Sequence, residues 1–240
     1  MTTTDKQHWE SQAANWIEWA RTPGFDAYWY YRERFFEILP KPGGLTVDVG
    51  CGEGRLSRDL AERGYDVTGV EPAPTLLQAA KDAHPEGTYV HAEAADLPFE
   101  SDSVQLLVSY NNLMDIDDLD GALREFARVL TPRTGRLCIT IVHPVTDSIG
   151  FDVRDADAPL VITGAYLPTA AFSGVAERGG LTMHFSGWHR SITTYAKALE
   201  DAELLIETIR EPLPVDDAPA AAWDRWRRMP MFMQLRALKI

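Results

Sequence analysis

The stretch that decides the fold is VDVGCGEGRL, residues 47–56. A short apolar run that contains one acid, Asp48, ends in three glycines at every second position: Gly50, Gly52 and Gly54. Glycines at the end of a buried strand let the backbone turn sharply and approach a bulky ligand closely. In an open parallel sheet, ligands bind beyond the carboxyl ends of the strands, where the strand order reverses. The stretch therefore predicts a ligand site at the end of the first strand.

The glycine spacing discriminates between two kinds of ligand. A dinucleotide-binding loop has the pattern GxGxxG, and counted from Gly50 its third glycine would fall at Arg55, a bulky residue. Asp48 would also repel a pyrophosphate, whereas it suits a ligand that carries a sulfonium and an ammonium group. The spacing GxGxG thus favours a cationic ligand and argues against a nicotinamide-dependent oxidoreductase.

The segment from residue 45 to residue 142 alternates short apolar runs with helical patterns. Five strands are predicted, at LTVDVG, YDVTGVE, TYVHAEA, VQLLVSY and RLCITIVH. Apolar strands that alternate with helices are typical of a parallel sheet covered on both faces. Because the crossover connections are right-handed, the fold class is α/β with a doubly wound, Rossmann-like sheet.

The two ends of the chain follow other patterns. Residues before Lys41 are rich in aromatic side chains and predict two helices, while residues 144–189 show no helical period and predict an inserted hairpin with LVITGAYL and GLTMHFSGW as its strands. Ser191 is expected to cap a helix through Ala202, with two final strands after it. Glu203 stands where a glycine commonly ends such a helix, so we expect no left-handed residue there.

Five motifs together resemble those of the class I S-adenosylmethionine-dependent methyltransferases, especially the type 11 group. They are VDVGCGEGRL, GVEPA, AADLPF, LLVSYNNLMDIDD and REFARVLTPRTGRLCIT, and the strong match covers residues 45–142. The resemblance implies a seven-stranded sheet whose last strand is antiparallel. It also implies S-adenosylmethionine as cofactor, S-adenosylhomocysteine as product, and in-line methyl transfer to an oxygen, nitrogen or carbon atom of a small molecule. No metal is expected.

The resemblance divides the chain into the parts of one methyltransferase domain. Residues 1–40 would form a helical lid, 41–143 the cofactor-binding half, 144–189 the insert, and 190–240 the C-terminal helix and strands. Tyr28 and Tyr31 of the lid either touch the cofactor or substrate or serve only in helix packing, and packing explains most of the aromatic residues there.

The resemblance also assigns residues to the nucleoside part of the cofactor. Glu71, followed by Pro72, ends the second strand, where a carboxylate accepts both ribose hydroxyls. Asp96 and Leu97 follow the third strand, where the acid accepts from the adenine amino group and the next N–H faces the ring. The alternatives are an exposed acid at the end of a strand for Glu71 and a turn residue for Asp96.

The methionine part of the cofactor should face Asp48, the three glycines and Asn111. Asp48 could equally hold the N–H groups of the loop, and Asn111 could serve only as a turn residue. For a general base, His143 at the end of the fifth strand is the first candidate, ahead of His184 and His189 in the insert. The alternative for His143 is a structural imidazole before Pro144.

The overall composition limits the partners. The chain has 240 residues, with 23 basic and 36 acidic residues and a net charge of −13, so nucleic acids and anionic membranes are disfavoured. Two cysteines without a paired motif and an N-terminus without an apolar segment lead us to expect a reduced, cytoplasmic protein. A monomer or a homodimer is expected. The leading hypothesis is a small-molecule methyltransferase. The alternative is a regulatory module that binds the cofactor without catalysis.

Overall fold

The computed structural model describes residues 5–146, 149–151, 157–162, 164–219 and 223–240. The α-helices in these ranges are α1 (Asp5–Arg21), α2 (Tyr28–Phe36), α3 (Arg55–Glu62), α4 (Pro74–Ala83), α5 (Leu119–Val129) and α6 (Ile192–Asp201). The strands are β1 (Leu45–Val49), β2 (Asp66–Val70), β3 (Thr88–Val90), β4 (Leu106–Tyr110), β5 (Arg136–Val142), β6 (Ile149–Phe151), β7 (Leu160–Ile162), β8 (Ala170–Arg178), β9 (Leu181–His189), β10 (Leu204–Arg210) and β11 (Phe232–Lys239). None of these helices has the length and apolar character needed to cross a bilayer.

Seven strands form the central sheet in the order β10-β11-β5-β4-β1-β2-β3. Strands β1 to β5 pair in parallel, while β11 runs antiparallel to both β5 and β10. The doubly wound sheet with an antiparallel last strand is thereby confirmed. The strand order reverses between β1 and β4, so a crevice opens beyond the carboxyl ends of these two strands.

Side chains alternate between the two faces of the sheet, and each face has its own core. On one side, Val47, Leu107 and Ile139 pack with Phe126 of α5 and with α6. On the other side, residues of the same strands pack against α2 and α3: Leu106, Val108 and Cys138. Because burial on both faces needs apolar residues at nearly every position, the central strands read as continuous apolar runs in the sequence.

The insert contains a long hairpin, but one of its strands differs from the predicted one. β9, the predicted GLTMHFSGW strand, pairs with β8 (AAFSGVAER) around the turn at Gly179 and Gly180, both of which have positive φ. Residues 160–162 of the predicted LVITGAYL strand pair instead with β6. Since most of β8 is exposed on both faces, its sequence lacks the alternation of apolar and polar residues that marks a half-buried strand.

Helix α6 begins as predicted and ends in a way that the sequence did not predict. The Ser191 hydroxyl accepts a hydrogen bond from the N–H of Thr194 at 3.2 Å, which confirms the cap. Glu203 has φ of 57°, so the chain does leave the helix through a left-handed residue, and that expectation was wrong. The Glu203 carbonyl accepts a bond from the N–H of Ile240 at 3.2 Å, so the pairing of β10 with β11 helps to hold this conformation.

Replacing Glu203 by glycine should stabilise the fold. A residue with a Cβ pays a steric cost in the left-handed region, and this cost exceeds the added chain entropy of a glycine, so we expect a gain of about 1 kcal/mol. Differential scanning calorimetry should show Tm rising by roughly 2–4 °C. Glu203→Gln, which removes only the exposed ion pair with Lys239, should change Tm little. A lower Tm for the glycine variant would contradict this prediction.

Candidate functional site

A cavity of about 650 Å³ lies beyond the carboxyl ends of β1, β2 and β4, where the strand order reverses. Its walls come from the ends of these strands, from the loop after β1, from the turn after β3, and from α1 and the hairpin. The volume lies in the range of small-molecule sites. The fold thus gathers at one place several polar residues that are far apart in the sequence.

Asp48 is buried at the end of β1 beside this cavity. Val47 and Val49 belong to the core on the α5 side, so Asp48 points to the other face of the sheet, toward α3. There its carboxylate accepts a hydrogen bond from the Ser57 hydroxyl at 2.6 Å. Burial raises the pKa of Asp48 to about 7, although the hydrogen bonds from Ser57 oppose the shift. Asp48 is therefore a carboxyl group whose ionised form a nearby positive charge would favour.

Glu71 is the first residue beyond β2, and it joins two loops. One carboxylate oxygen accepts the N–H of Gly52 and the other accepts the N–H of Ala73, each at 2.9 Å. Burial raises the pKa of Glu71 to about 7, against the lowering effect of these two backbone bonds. Because a carboxylate oxygen can accept two hydrogen bonds, each oxygen keeps one acceptor position for a ligand.

The three glycines after β1 serve two purposes. Gly50 and Gly52 line the cavity with positive φ angles of 67° and 57°. A Cβ on Gly50 would collide with the side chain of Asn112, and one on Gly52 would lie 3.4 Å from the Trp16 indole nitrogen. Gly54 caps α3, and a Cβ there would lie 2.9 Å from Cβ of Ala80. Gly54 is not among the lining residues and serves close packing of α3 on α4.

The end of β4 carries two asparagines with separate roles. Asn112 donates to the carbonyl of Val49 and accepts from the Ser109 hydroxyl, so it ties β4 to the end of β1. Asn111 has φ of 55° and lines the cavity. Its Oδ1 atom is buried and has no hydrogen-bond partner among the described residues. Asn111 thus offers an acceptor that a ligand could use.

The turn after β3 directs Glu93 toward the cavity rather than Asp96. Glu93, Ala94 and Ala95 line the cavity, together with Pro72 from the loop after β2. Asp96 is exposed and lies outside the lining residues. The Leu97 N–H donates to a carboxylate oxygen of Glu125 at 2.9 Å, so it is not free to contact a ligand.

Glu93 lines the cavity but was not singled out in the sequence, although a signal for it was present. It stands three positions after β3 ends, whereas Asp96 stands six positions after that end. Ligand contacts in open α/β sheets concentrate directly beyond the carboxyl ends of the strands. Distance from the end of the strand therefore favours the earlier acid.

Helix α1 and strand β9 together cover the cavity, and we call this pair the roof. The side chains of Asn15 and His8 bond to the backbone oxygens of Thr182 and His184, each at 2.9 Å. Indoles of α1 and a ring of β9 line the inner side of the roof: Trp9, Trp16 and Phe185. The ring centroids of Trp9 and Trp16 lie 5.4 Å apart, in edge contact. The roof thus adds an apolar aromatic cover to the polar strand ends.

Arg55, the residue that departs from the dinucleotide pattern, builds one wall of the cavity. Its guanidinium forms an ion pair with Asp26 at 2.6 Å and lies 4.2 Å from the centroid of the Tyr28 ring. It also lies 5.2 Å from the Trp16 ring. Neutralised by Asp26 and stacked on aromatic rings, Arg55 joins the loop after β1 to the two N-terminal helices.

His143 lies next to the site, but not in the wall of the cavity. Its ring is 3% exposed, with Nε2 at 3.0 Å from a carboxylate oxygen of Glu211 and Nδ1 accepting the N–H of Val145 at 3.3 Å. Burial lowers the pKa of His143, while Glu211 opposes the shift. The described lining residues include neither His143 nor the other two candidates, His184 and His189. A base role for His143 stays a prediction.

Comparisons with known proteins agree with this geometry. Residues 47–139 match the family model described as a methyltransferase domain. An uncharacterized methyltransferase from Mycobacterium sp. (strain JLS) is 39% identical over 92 residues, which cover 38% of this chain and 36% of that protein. Methyltransferase GfsG from Streptomyces halstedii is 29% identical over 161 residues, which cover 63% and 58% of the two chains. The match thus spans less than two thirds of either relative.

A solved structure extends the similarity over most of the fold. The crystal structure of an S-adenosylmethionine-dependent methyltransferase from Mesorhizobium loti has a TM-score of 0.68 and 27% identity, and the match covers 88% of this chain and 97% of that one. The domain match, the sequence relatives and this shared fold agree on one family. Residues 47–139 are thus similar to a methyltransferase domain, and the chain has the fold of a class I S-adenosylmethionine-dependent methyltransferase.

Proposed function

We propose that the protein binds S-adenosylmethionine in this cavity and transfers a methyl group to a small-molecule acceptor. The observation that carries the proposal is the convergence of two buried carboxylates, Asp48 and Glu71, on a loop whose glycines leave room for a ligand. Both carboxylates have a raised pKa of about 7, so a bound cation would favour their ionised forms. A ligand with a sulfonium and an ammonium group meets this requirement.

The unused acceptors around the cavity match the polar groups of this cofactor. Each Glu71 oxygen keeps one acceptor position, which suits the two hydroxyls of a ribose. The unpartnered Oδ1 of Asn111 suits an ammonium donor, with the Asp48 carboxylate close to the same loop. Gly50 and Gly52 have no side chains that would occupy the space of the ligand. The residues present therefore fit the methionine and ribose parts of the cofactor.

We assign the adenine contact to the carboxylate of Glu93 and the N–H of Ala94. Both residues line the cavity. The adenine amino group is a donor, and a carboxylate is a strong acceptor for it. Asp96 and Leu97, which the sequence suggested, are the alternative for this contact. The N–H of Leu97 is already bonded to Glu125, which favours the earlier pair.

S-adenosylmethionine would supply a methyl group on a positively charged sulfur, which becomes a neutral thioether when a lone pair of the acceptor takes the methyl. The protein would contribute mainly by holding the two reactants in line and close together. The rings of Trp9, Trp16 and Phe185 would reduce the access of water to the bound reactants. The attacked atom, whether oxygen, nitrogen or carbon, stays open.

The alternative is a module that binds the cofactor but has no catalytic role. The described lining residues include no histidine that could remove a proton from the acceptor, and this observation favours the alternative. The two functions share the cofactor site and differ in turnover. Formation of S-adenosylhomocysteine with any acceptor from a broad panel would exclude the non-catalytic module.

Removing the charge of Glu71 should weaken cofactor binding strongly. Titration calorimetry with S-adenosylhomocysteine should give saturable heat for the wild type, and Glu71→Gln should raise Kd by about 10- to 100-fold, because it removes charge-assisted hydrogen bonds to the ribose. Asp66→Asn, at the exposed start of the same strand, is the matched control and should leave Kd unchanged. Absence of saturable heat with the wild type would rule out the proposed function.

A pair of matched variants tests the adenine contact. Glu93→Gln should weaken S-adenosylhomocysteine binding by about tenfold, whereas Asp96→Asn should have no effect, since Asp96 lies outside the cavity. Calorimetry on both variants measures this difference directly. The reverse order of effects would assign the adenine to Asp96 instead.

Cofactor affinity should fall in mild acid. In the ligand-free protein, Asp48 and Glu71 have pKa values raised to about 7, and the bound cofactor needs their ionised forms. For each carboxylate that must lose a proton, the Kd of S-adenosylhomocysteine should rise about tenfold between pH 8 and pH 6. Calorimetry in two buffers of different ionisation enthalpy should show proton release upon binding near pH 7. A Kd independent of pH would show that neither group changes its protonation state on binding, which would contradict this prediction.

The raised pKa values of Asp48 and Glu71 make the ligand-free fold less stable as the pH rises, whereas they make cofactor binding tighter. Because the folded protein binds these protons more tightly than the unfolded chain, the contribution of Asp48 and Glu71 to stability is present below their unfolded pKa values near 4. It is lost as the pH rises through about 7. Bound cofactor should therefore raise Tm more at pH 8 than at pH 6.

A further inference from the structure

The cavity has two ends that differ in charge. One end, which we call the acidic end, is lined by several carboxylates, among them Asp5, Glu71, Glu93, Asp115 and Asp117. Burial raises the pKa of Asp5, and the neighbouring charges of Asp117 and Glu93 raise it further. Lys6 pairs with Glu93 at 3.3 Å and offsets only part of this charge. The acidic end suits the cationic cofactor of the proposed function.

The other end, which we call the aromatic end, carries no net charge among its described residues. It is lined by Asp26, Tyr28, Arg55, Tyr110, Val142 and Phe232. The ion pair between Asp26 and Arg55 is 2.6 Å long, and the two side chains are 15% and 18% exposed, so the pair neutralises itself. The ring centroids of Tyr28 and Tyr110 lie 5.4 Å apart in edge contact. This end therefore disfavours a free ion and offers flat, apolar surfaces.

Polar groups without partners among the described residues lie in a row beside the aromatic end. Thr140 of β5 lies opposite Tyr110 of β4 and Gln234 of β11 in the sheet register, so the three side chains share one face of the sheet. The Tyr110 and Thr140 hydroxyls and both polar atoms of the Gln234 side chain are buried, with no hydrogen-bond partner among the described residues. The Tyr31 hydroxyl of α2 is in the same condition. Buried polar groups in native proteins nearly always form hydrogen bonds, so we expect a bound molecule to supply a partner to this row.

Tyr110 is the member of this row that reaches the cavity. It directly precedes Asn111, which we assign to the methionine end of the cofactor, so it lies beside the place where a methyl group would be transferred. Burial raises the pKa of Tyr110, so its hydroxyl stays protonated and can both donate and accept. Edge contact with Phe35, at 5.0 Å between ring centroids, fixes the ring.

We infer that the aromatic end is the acceptor subsite and takes an uncharged, planar molecule that bears a hydroxyl group, with this hydroxyl hydrogen-bonded to Tyr110. The inference rests on the proposed function, because it assumes that the cofactor occupies the acidic end. Rings of the acceptor would lie among Tyr28, Tyr110 and Phe232, and Asp26 and Arg55 would stay paired with each other. Amines and carboxylates of the same shape would bring an uncompensated charge into this end.

Three probes of one shape test the inference. Naphthol, naphthylmethylamine and naphthoate, all substituted at the same ring position, are titrated at pH 7.5 into the protein saturated with S-adenosylhomocysteine. Naphthol should bind saturably, and the amine and the carboxylate should bind at least tenfold more weakly. Equal or tighter binding of either charged probe, or no saturable binding of naphthol, would overturn the inference.

The Tyr110 hydroxyl is tested by Tyr110→Phe, which keeps the ring and its packing. The Kd of naphthol should rise about tenfold, as for one lost hydrogen bond in a buried site. The Kd of S-adenosylhomocysteine should stay within twofold. Tyr65→Phe, whose hydroxyl bonds to Pro40 at the opposite end of the sheet, is the matched control and should change neither value.

The two levels of the proposal fail in different ways. If the wild type does not bind S-adenosylhomocysteine, the proposed function is excluded and the acceptor subsite with it. If S-adenosylhomocysteine binds normally but Tyr110→Phe leaves naphthol binding unchanged, only the acceptor subsite is excluded.

Discussion

The site depends on one buried carboxylate, that of Glu71. Its two oxygens hold the N–H of Gly52 and the N–H of Ala73, so a single side chain joins the loop after β1 to the loop after β2. Asn112 makes the corresponding link between β4 and the end of β1. The carboxyl ends of these parallel strands lie side by side, and the side-chain hydrogen bonds join the three ends to one another. We call the joined ends of β1, β2 and β4 the rim. Because burial raises the pKa of Glu71 to about 7, a cation bound at the rim would favour the ionised form of this acid.

Segments outside the sheet turn this rim into a partly covered cavity with two chemically different ends. The roof of α1 and β9 covers the rim. Side chains of α1 hydrogen-bond to backbone oxygens of β9, and the two elements share no sheet. Arg55 fastens the glycine loop to Asp26 and Tyr28, so the loop that defines the fold also shapes the aromatic end. Cofactor and acceptor would thus be separated by charge as well as by position.

The sequence interpretation and the structure differ at several residues, and in each case a local pattern does not say which way a side chain or a strand points. Asp96 and Glu93 lie in one turn, and only the path of that turn decides which acid faces the cavity. β8 escaped prediction because its two faces are mostly exposed, and Glu203 adopts positive φ because the C-terminal strand holds its carbonyl. His143 follows the fifth strand as its position suggested, yet both ring nitrogens are engaged by Glu211 and Val145.

The sequence by itself predicted the sheet, its helices and the methyltransferase-like segment at residues 47–139, because apolar runs, helical periodicity and the GxGxG loop are properties of neighbouring residues. It also indicated Asp48, Glu71 and Asn111, which stand at or directly beyond the ends of strands, where the topology allows only one meeting point. Only the tertiary structure decided the roof, the pairing of Arg55 with Asp26 and the polar row beside Tyr110. These features join residues that are distant in the chain, and such contacts follow from packing rather than from any local pattern.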